Sequence, residues 1–160
     1  MDIRDALKGQ YHAGLRMLRE CVELCPEEMW LAGAPREYWR IAYHAVFFTH
    51  LYMGQNEAAF KPWHKHQAAA YDLWGEDELT FEPYTKADVI GYIDDVREMV
   101  NPTVDALDLD TDDPGFHWYK NINKLEHELL NLRHIQGHVG QLSERLMAQG
   151  IDSSWISRRA

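Results

Sequence analysis

Apolar residues recur at helical spacing over four long stretches, separated by segments punctuated with proline and glycine. In residues 2–24, Ile3, Leu7, Tyr11, Leu15, Leu18 and Val22 share one face, and Pro26 closes the run. That pattern predicts a first helix. Residues 36–53 (REYWRIAYHAVFFTHLYM) are apolar almost all round from Trp39 onward, as expected of a second helix lying inside the molecule. Thr85, Lys86, Ala87 and Asp88 read as a capping box with aspartate in the usual glutamate position. A third helix follows, with Val89, Tyr92, Ile93, Val96 and Val100 on its buried side. Pro102 is expected to kink or interrupt it, and it ends near Leu107. Residues 124–148 contain no proline and carry Leu125, Leu129, Leu132 and Leu142 at helical spacing. They predict a long amphipathic fourth helix, ended by Gly150.

The connections differ in character. Residues 26–35 form a short connector holding one helical turn that begins at Pro26, with Trp30 and Leu31 plugged into the core. Residues 55–84 are long and rich in aromatics, so a crossover packed across the helices and forming one wall of a pocket is expected. Residues 108–115 (DLDTDDPG) imitate the opening of a calcium loop. Asp113 stands where its glycine belongs and Tyr119 where its closing glutamate belongs, so they read as a solvated loop. Trp155 is expected to fold back as an anchor. The fold class that results is all-α: an antiparallel four-helix bundle with a long crossover between the second and third helices, one domain over residues 1–160.

Composition narrows the function. An apolar content of 46% and an aromatic content of 12% belong to a folded chain with a real core rather than to a disordered one. A net charge of −10, with acids concentrated between Glu76 and Asp113, argues against nucleic acid as partner; Arg158 and Arg159 are too few to reverse it. The N-terminus has no apolar run like that of a signal peptide, and residues 41–53 are too short to span a bilayer. A soluble, cytoplasmic protein without membrane contact is expected. Cys21 and Cys25, four apart on the first helix, read as buried small apolar side chains rather than a disulfide.

The candidate chemistry lies in the histidines. On the fourth helix His127, Asn131, His134 and His138 follow one another in steps of four, three and four, which puts them on one stripe. His134 and His138 are one turn apart, about 6 Å along the axis, so both imidazoles reach a single metal ion. The glutamate of the metalloprotease motif is absent: Ile135, Gln136 and Gly137 lie between them. On the second helix His44 sits among Phe47, Phe48 and Leu51. A buried histidine is satisfied either by a hydrogen bond or by a metal, and the two histidines at ligand spacing favour metal. His50, turned by roughly 120° from His44, is the substitute ligand. His44, His134 and His138 make a three-nitrogen site with one open position, the arrangement of a catalytic rather than a structural ion. Zinc is the first expectation, with nickel, iron or manganese compatible. His127 is about 10 Å from His134 along the axis. Together with Asn131 and Gln141 it is assigned to the pocket or to hydrogen bonds behind the ligands. His12, His64 and His66 read as rim or exposed side chains. Glu126, Glu128 and Glu144 read as solvent-facing, which leaves no evident general base.

One histidine in an aromatic second helix (WRIAYHAVFFTHLYM), followed by His-x-x-x-His opening LRHIQGHVGQLSERLMAQGI, resembles the DinB-like (DinB/YfiT) superfamily. The resemblance covers essentially the whole chain and is most specific in the His-Val-Gly-Gln-Leu run. It implies a four-helix bundle with a histidine triad at His44, His134 and His138, and a homodimer. It also implies a metal-dependent enzyme working on small molecules with low-molecular-weight thiols, such as the bacillithiol S-transferases and the mycothiol-dependent isomerase of that superfamily. Two other readings stand beside it: a metal-binding stress protein without catalysis, and a metal-free dimeric bundle with core histidines.

Overall fold

The computed structural model describes residues 3–34, 36–74 and 81–157. Asp2, Pro35, the opening of the acidic run at Glu76, and Arg158 and Arg159 lie outside the described residues. Within them the chain is all-α, with no strand. Helices α1 (Ile3–Leu24), α3 (Tyr38–Met53), α4 (Lys86–Ala106) and α5 (Lys124–Met147) are long, whereas α2 (Glu27–Trp30) is a single turn. A 3-10 turn spans Glu57–Ala59.

Each long helix follows from its pattern. In α1 Leu7, Tyr11, Leu15, Leu18 and Val22 are all buried, and Pro26 stands at the N-cap of α2. Helix α3 is buried nearly all round, including Arg40 and His44. Thr85 and Asp88 complete the expected capping box of α4. Asn123 and Glu126 form a second box at the start of α5, which supplies partners to backbone N–H groups that the first turn leaves free. Pro102 is carried inside α4 near its end, and the helix continues to Ala106 without interruption. Helix α3 packs against α5 and α4, and α1 packs against the same two.

The 54–85 connection is fastened into this core. Trp63 stacks on Tyr92 at 4.6 Å and donates from Nε1 to Asp95. Trp63, Ala70, Leu73 and Tyr84 are buried. Trp30 Nε1 donates to the Tyr84 carbonyl at 2.8 Å, which ties the α1–α3 connector to the segment before α4. Residues 108–115 are less solvated than expected. Leu109 and Pro114 are buried, and Asp108 and Asp113 accept hydrogen bonds from backbone N–H groups two residues on. Gly115, at φ +82°, lies against the Gln55 carbonyl so closely that a Cβ there would be 2.1 Å from that oxygen.

Three anchors differ from expectation. Leu31 is exposed beside the buried Trp30, because α2 has only one turn and presents one side. Trp155 is 78% exposed, and Ile151 and Ile156 pack against the core instead. On α5 the buried face is wider than the leucine stripe, of which Leu142 is buried and Leu125 and Leu132 pack partly buried against the core. Lys124, His127, Glu128, Asn131, Ile135, His138, Val139, Leu142 and Leu146 point inward, whereas Leu129 is half exposed.

Candidate metal centre

Helices α3 and α5 bring three imidazoles together. His44 Nε2 lies 3.2 Å from His134 Nε2, which lies 3.1 Å from His138 Nε2. The position of each ring follows from its helix: His134 and His138 are one turn apart on α5, and α5 packs on the face of α3 that carries His44. Among the described residues this is the one group of three or more His, Cys, Asp or Glu side chains placed to hold a metal ion.

The outer nitrogens fix the tautomers. His44 Nδ1 is 2.6 Å from the Tyr71 carbonyl, which can only accept, so Nδ1 carries the proton and Nε2 is a bare lone pair. His138 Nδ1 donates in the same way to Gln141 Oε1 at 2.8 Å. His134 Nδ1 is buried and has no hydrogen-bond partner among the described residues. Burial pushes His44 down to about 4, with the His138 ring adding to the effect and the Tyr71 carbonyl opposing it. Burial, then the His138 and His44 rings, pushes His134 down to about 3. Burial lowers His138 as well, against its bond to Gln141. All three are therefore neutral near pH 7, the protonation state in which imidazole binds a metal.

Lone pairs facing one another at this distance repel unless something positive lies between them. Two of the three are held bare by the bonds behind them. One proton on His134 Nε2 points well at one neighbour but not at both. A divalent cation serves all three nitrogens, so the residues present fit a metal.

An aromatic wall closes one side. Phe48 packs 4.6 Å from His44 and 5.6 Å from His134. The segment after α3 supplies Tyr71, stacked on Phe47 at 4.4 Å, and the exposed Trp74, edge-on to His44 at 5.6 Å. Asp72, between them, is the carboxylate whose field reaches His44, and its Oδ1 accepts from the Trp74 backbone N–H.

The remaining residues singled out from the sequence fall elsewhere. His50 bonds Tyr92 on the α4 side and does not join the triad. Asn131 is fully buried but bonds Tyr11 and the Thr49 carbonyl. His127 is enclosed by Phe116, Tyr52 and Tyr119, with neither ring nitrogen hydrogen-bonded among the described residues. Of His127, Asn131 and Gln141, assigned to the pocket or behind the ligands, Gln141 is the one hydrogen-bonded to a triad histidine. His66 bonds Tyr43, His64 is exposed, and His12 bonds Asn101. Glu126 and Glu144 face solvent, but Glu128 does not. It is fully buried beside Lys124 and accepts from the Tyr11 hydroxyl at 2.6 Å. Its spacing of four from Lys124 was the signal available for that pair. The Tyr71 carbonyl had none, since a backbone acceptor leaves no mark on residue type.

No protein-family model matches this chain, and no curated protein or solved structure matches it.

Proposed function

We propose that this chain is a divalent-metal protein of the DinB-like kind, an antiparallel four-helix bundle whose His44, His134 and His138 hold the ion. We further propose that it acts on small molecules, as a transferase using a thiol or as a hydrolase using water. The observation that supports this reading is the convergence of three neutral imidazoles through Nε2, two of them held with bare lone pairs by the Tyr71 carbonyl and Gln141. Zinc is the first choice for three nitrogens, ahead of nickel, iron and manganese.

When bound, such an ion lowers the pKa of a thiol or water at its open position and so supplies a nucleophile at neutral pH. The chain's own residues do the rest. The bonds to Tyr71 and Gln141 orient the rings and keep their donor atoms unprotonated. Phe48 and Trp74 give an aromatic face beside His44 against which an electrophile packs. Asp72, held by the Trp74 N–H, lies on the same side and is the acid nearest in influence to the site. Glu128 does not serve as base, because Tyr11 and Lys124 already engage its oxygens.

Elemental analysis of protein prepared without a histidine tag tests the reading. About one divalent ion per chain is expected, lost in His138→Ala. A screen of low-molecular-weight thiols with alkylating electrophiles, and of esters, then asks for turnover. Metal without turnover supports the non-catalytic binding protein, and a chain that takes no metal supports the metal-free bundle.

A further inference from the structure

On the side of α3 that carries His50 lies a second cleft, of about 300 Å³, between the C-terminal ends of α3 and α4 and the 3-10 turn. Leu51, Met53, Phe60 and Leu107 make its surface largely apolar, and Thr103 on α4 adds a hydroxyl. His50 is its polar feature, with the ring edge-on to Phe60 at 4.9 Å. The Gln55 amide, also at the wall, is already bonded to both the N–H and the carbonyl of Asp108.

The tautomer of His50 can be deduced. Its Nδ1 lies 2.9 Å from the hydroxyl of Tyr92, a fully buried side chain with no other hydrogen bond among the described residues. Were Nδ1 to donate, the hydroxyl hydrogen would be stranded in the core, at a cost of about 1–3 kcal/mol. The hydroxyl therefore donates to Nδ1, and the proton of the neutral ring sits on Nε2. Burial, which pushes His50 down to about 4, keeps the ring neutral. Nε2 has no hydrogen-bond partner among the described residues, so the cleft holds an unused N–H donor over an apolar floor.

We infer that this cleft is a binding site for a compact, neutral, mostly apolar molecule with one carbonyl-type acceptor, which receives the His50 Nε2–H bond. Its volume is at the small end of ligand pockets, which suits a single ring or a short branched chain. Among the described residues the wall carries no side chain of fixed charge. An ionised ligand would lose hydration there without a counter-charge, and the chain's net charge of −10 weighs further against an anion. The site is independent of the metal reading: His44 and His50 leave α3 in different directions, and no residue of the triad lines the cleft.

Benzamide and benzoate, matched in shape and differing in charge, test this on the whole chain labelled with ¹⁵N-histidine. Benzamide is expected to move the His50 Nε2–H resonance saturably, and benzoate to bind at least about tenfold more weakly. His50→Phe, which keeps a ring but no donor, weakens benzamide by up to about tenfold. Ala106→Trp, at an exposed position of the cleft, abolishes binding without disturbing the core, and His138→Ala leaves binding unchanged. No saturable shift up to the solubility limit of benzamide overturns the proposal. So does equal affinity for benzoate, or binding that survives Ala106→Trp.

Discussion

Gln141 Oε1 accepts the Nδ1 proton of His138 at 2.8 Å, one turn along the same helix and on its exposed rim. The bond leaves His138 Nε2 free of hydrogen where it faces His134. Gln141→Leu removes this acceptor but touches nothing in the core, so the fold is expected to persist. Divalent-metal affinity should fall about 10–100-fold, measured by competition with a chromogenic chelator. Unchanged affinity would mean that Gln141 does not orient the ligand.

The buried histidines make the metal-free chain acid-sensitive. His44 and His50 sit at about 4 and His134 at about 3 in the folded state, against about 6.5 when unfolded. Between those values the unfolded chain binds protons that the folded chain does not. Stability therefore rises with pH, and it is lost as pH falls from about 6.5 towards 4. By pH 5, His44 and His50 each remove about 1–2 kcal/mol. Urea midpoints at pH 7 and pH 5, with and without zinc, check this. The metal-free midpoint should drop, and zinc should protect most at pH 7, where protons do not compete for the same nitrogens.

Helix existence was legible because apolar periodicity survives in residue type. Leu7, Tyr11, Leu15, Leu18 and Val22 needed only spacing to be placed inside α1. The inward face of α5 was less legible. Leu129 read as core and is half exposed, and Glu128 read as solvent-facing but is fully buried, together with Lys124 and Asn131. Those polar residues are tolerated inside because Tyr11, Thr49 and Gly54, on other parts of the chain, complete their bonds. That information is tertiary, and spacing along one helix does not contain it. The histidine triad was legible for the opposite reason: ligand spacing on α5 is local, and only the arrival of His44 depended on packing.

Gly115 marks the tightest backbone approach in the acidic connection. Its φ of +82° already disfavours a side chain, and a Cβ would stand 2.1 Å from the Gln55 carbonyl and 2.7 Å from the Asn56 Cα. Both neighbours are backbone and cannot rotate away. Gly115→Ala should lower the thermal midpoint by several degrees and break the bond from the Glu57 N–H to the Gly115 carbonyl. Gly137→Ala, where a Cβ meets nothing within 4 Å on a helix, should be neutral or mildly stabilising and serves as the control.

Lys124 and Glu128 form an ion pair at 2.9 Å with neither side chain exposed. Lys124 also donates to the Gly54 carbonyl, and Glu128 accepts from Tyr11. Burial pushes the Lys124 ammonium down and Glu128 holds it up, so the pair persists only as a pair. Lys124→Met leaves a buried carboxylate with no counter-charge, which should cost about 3–5 kcal/mol in chemical denaturation. Lys124→Met with Glu128→Gln removes both charges and keeps an acceptor for the Tyr11 hydroxyl. Most of the lost stability should return, since a neutral buried pair escapes the penalty of desolvating two ions. Metal content should stay near that of the unaltered chain in the double variant, because neither residue is hydrogen-bonded to the triad. A double variant no more stable than Lys124→Met would show that the ion pair itself, and not merely charge balance, holds the start of α5 against α1 and α3.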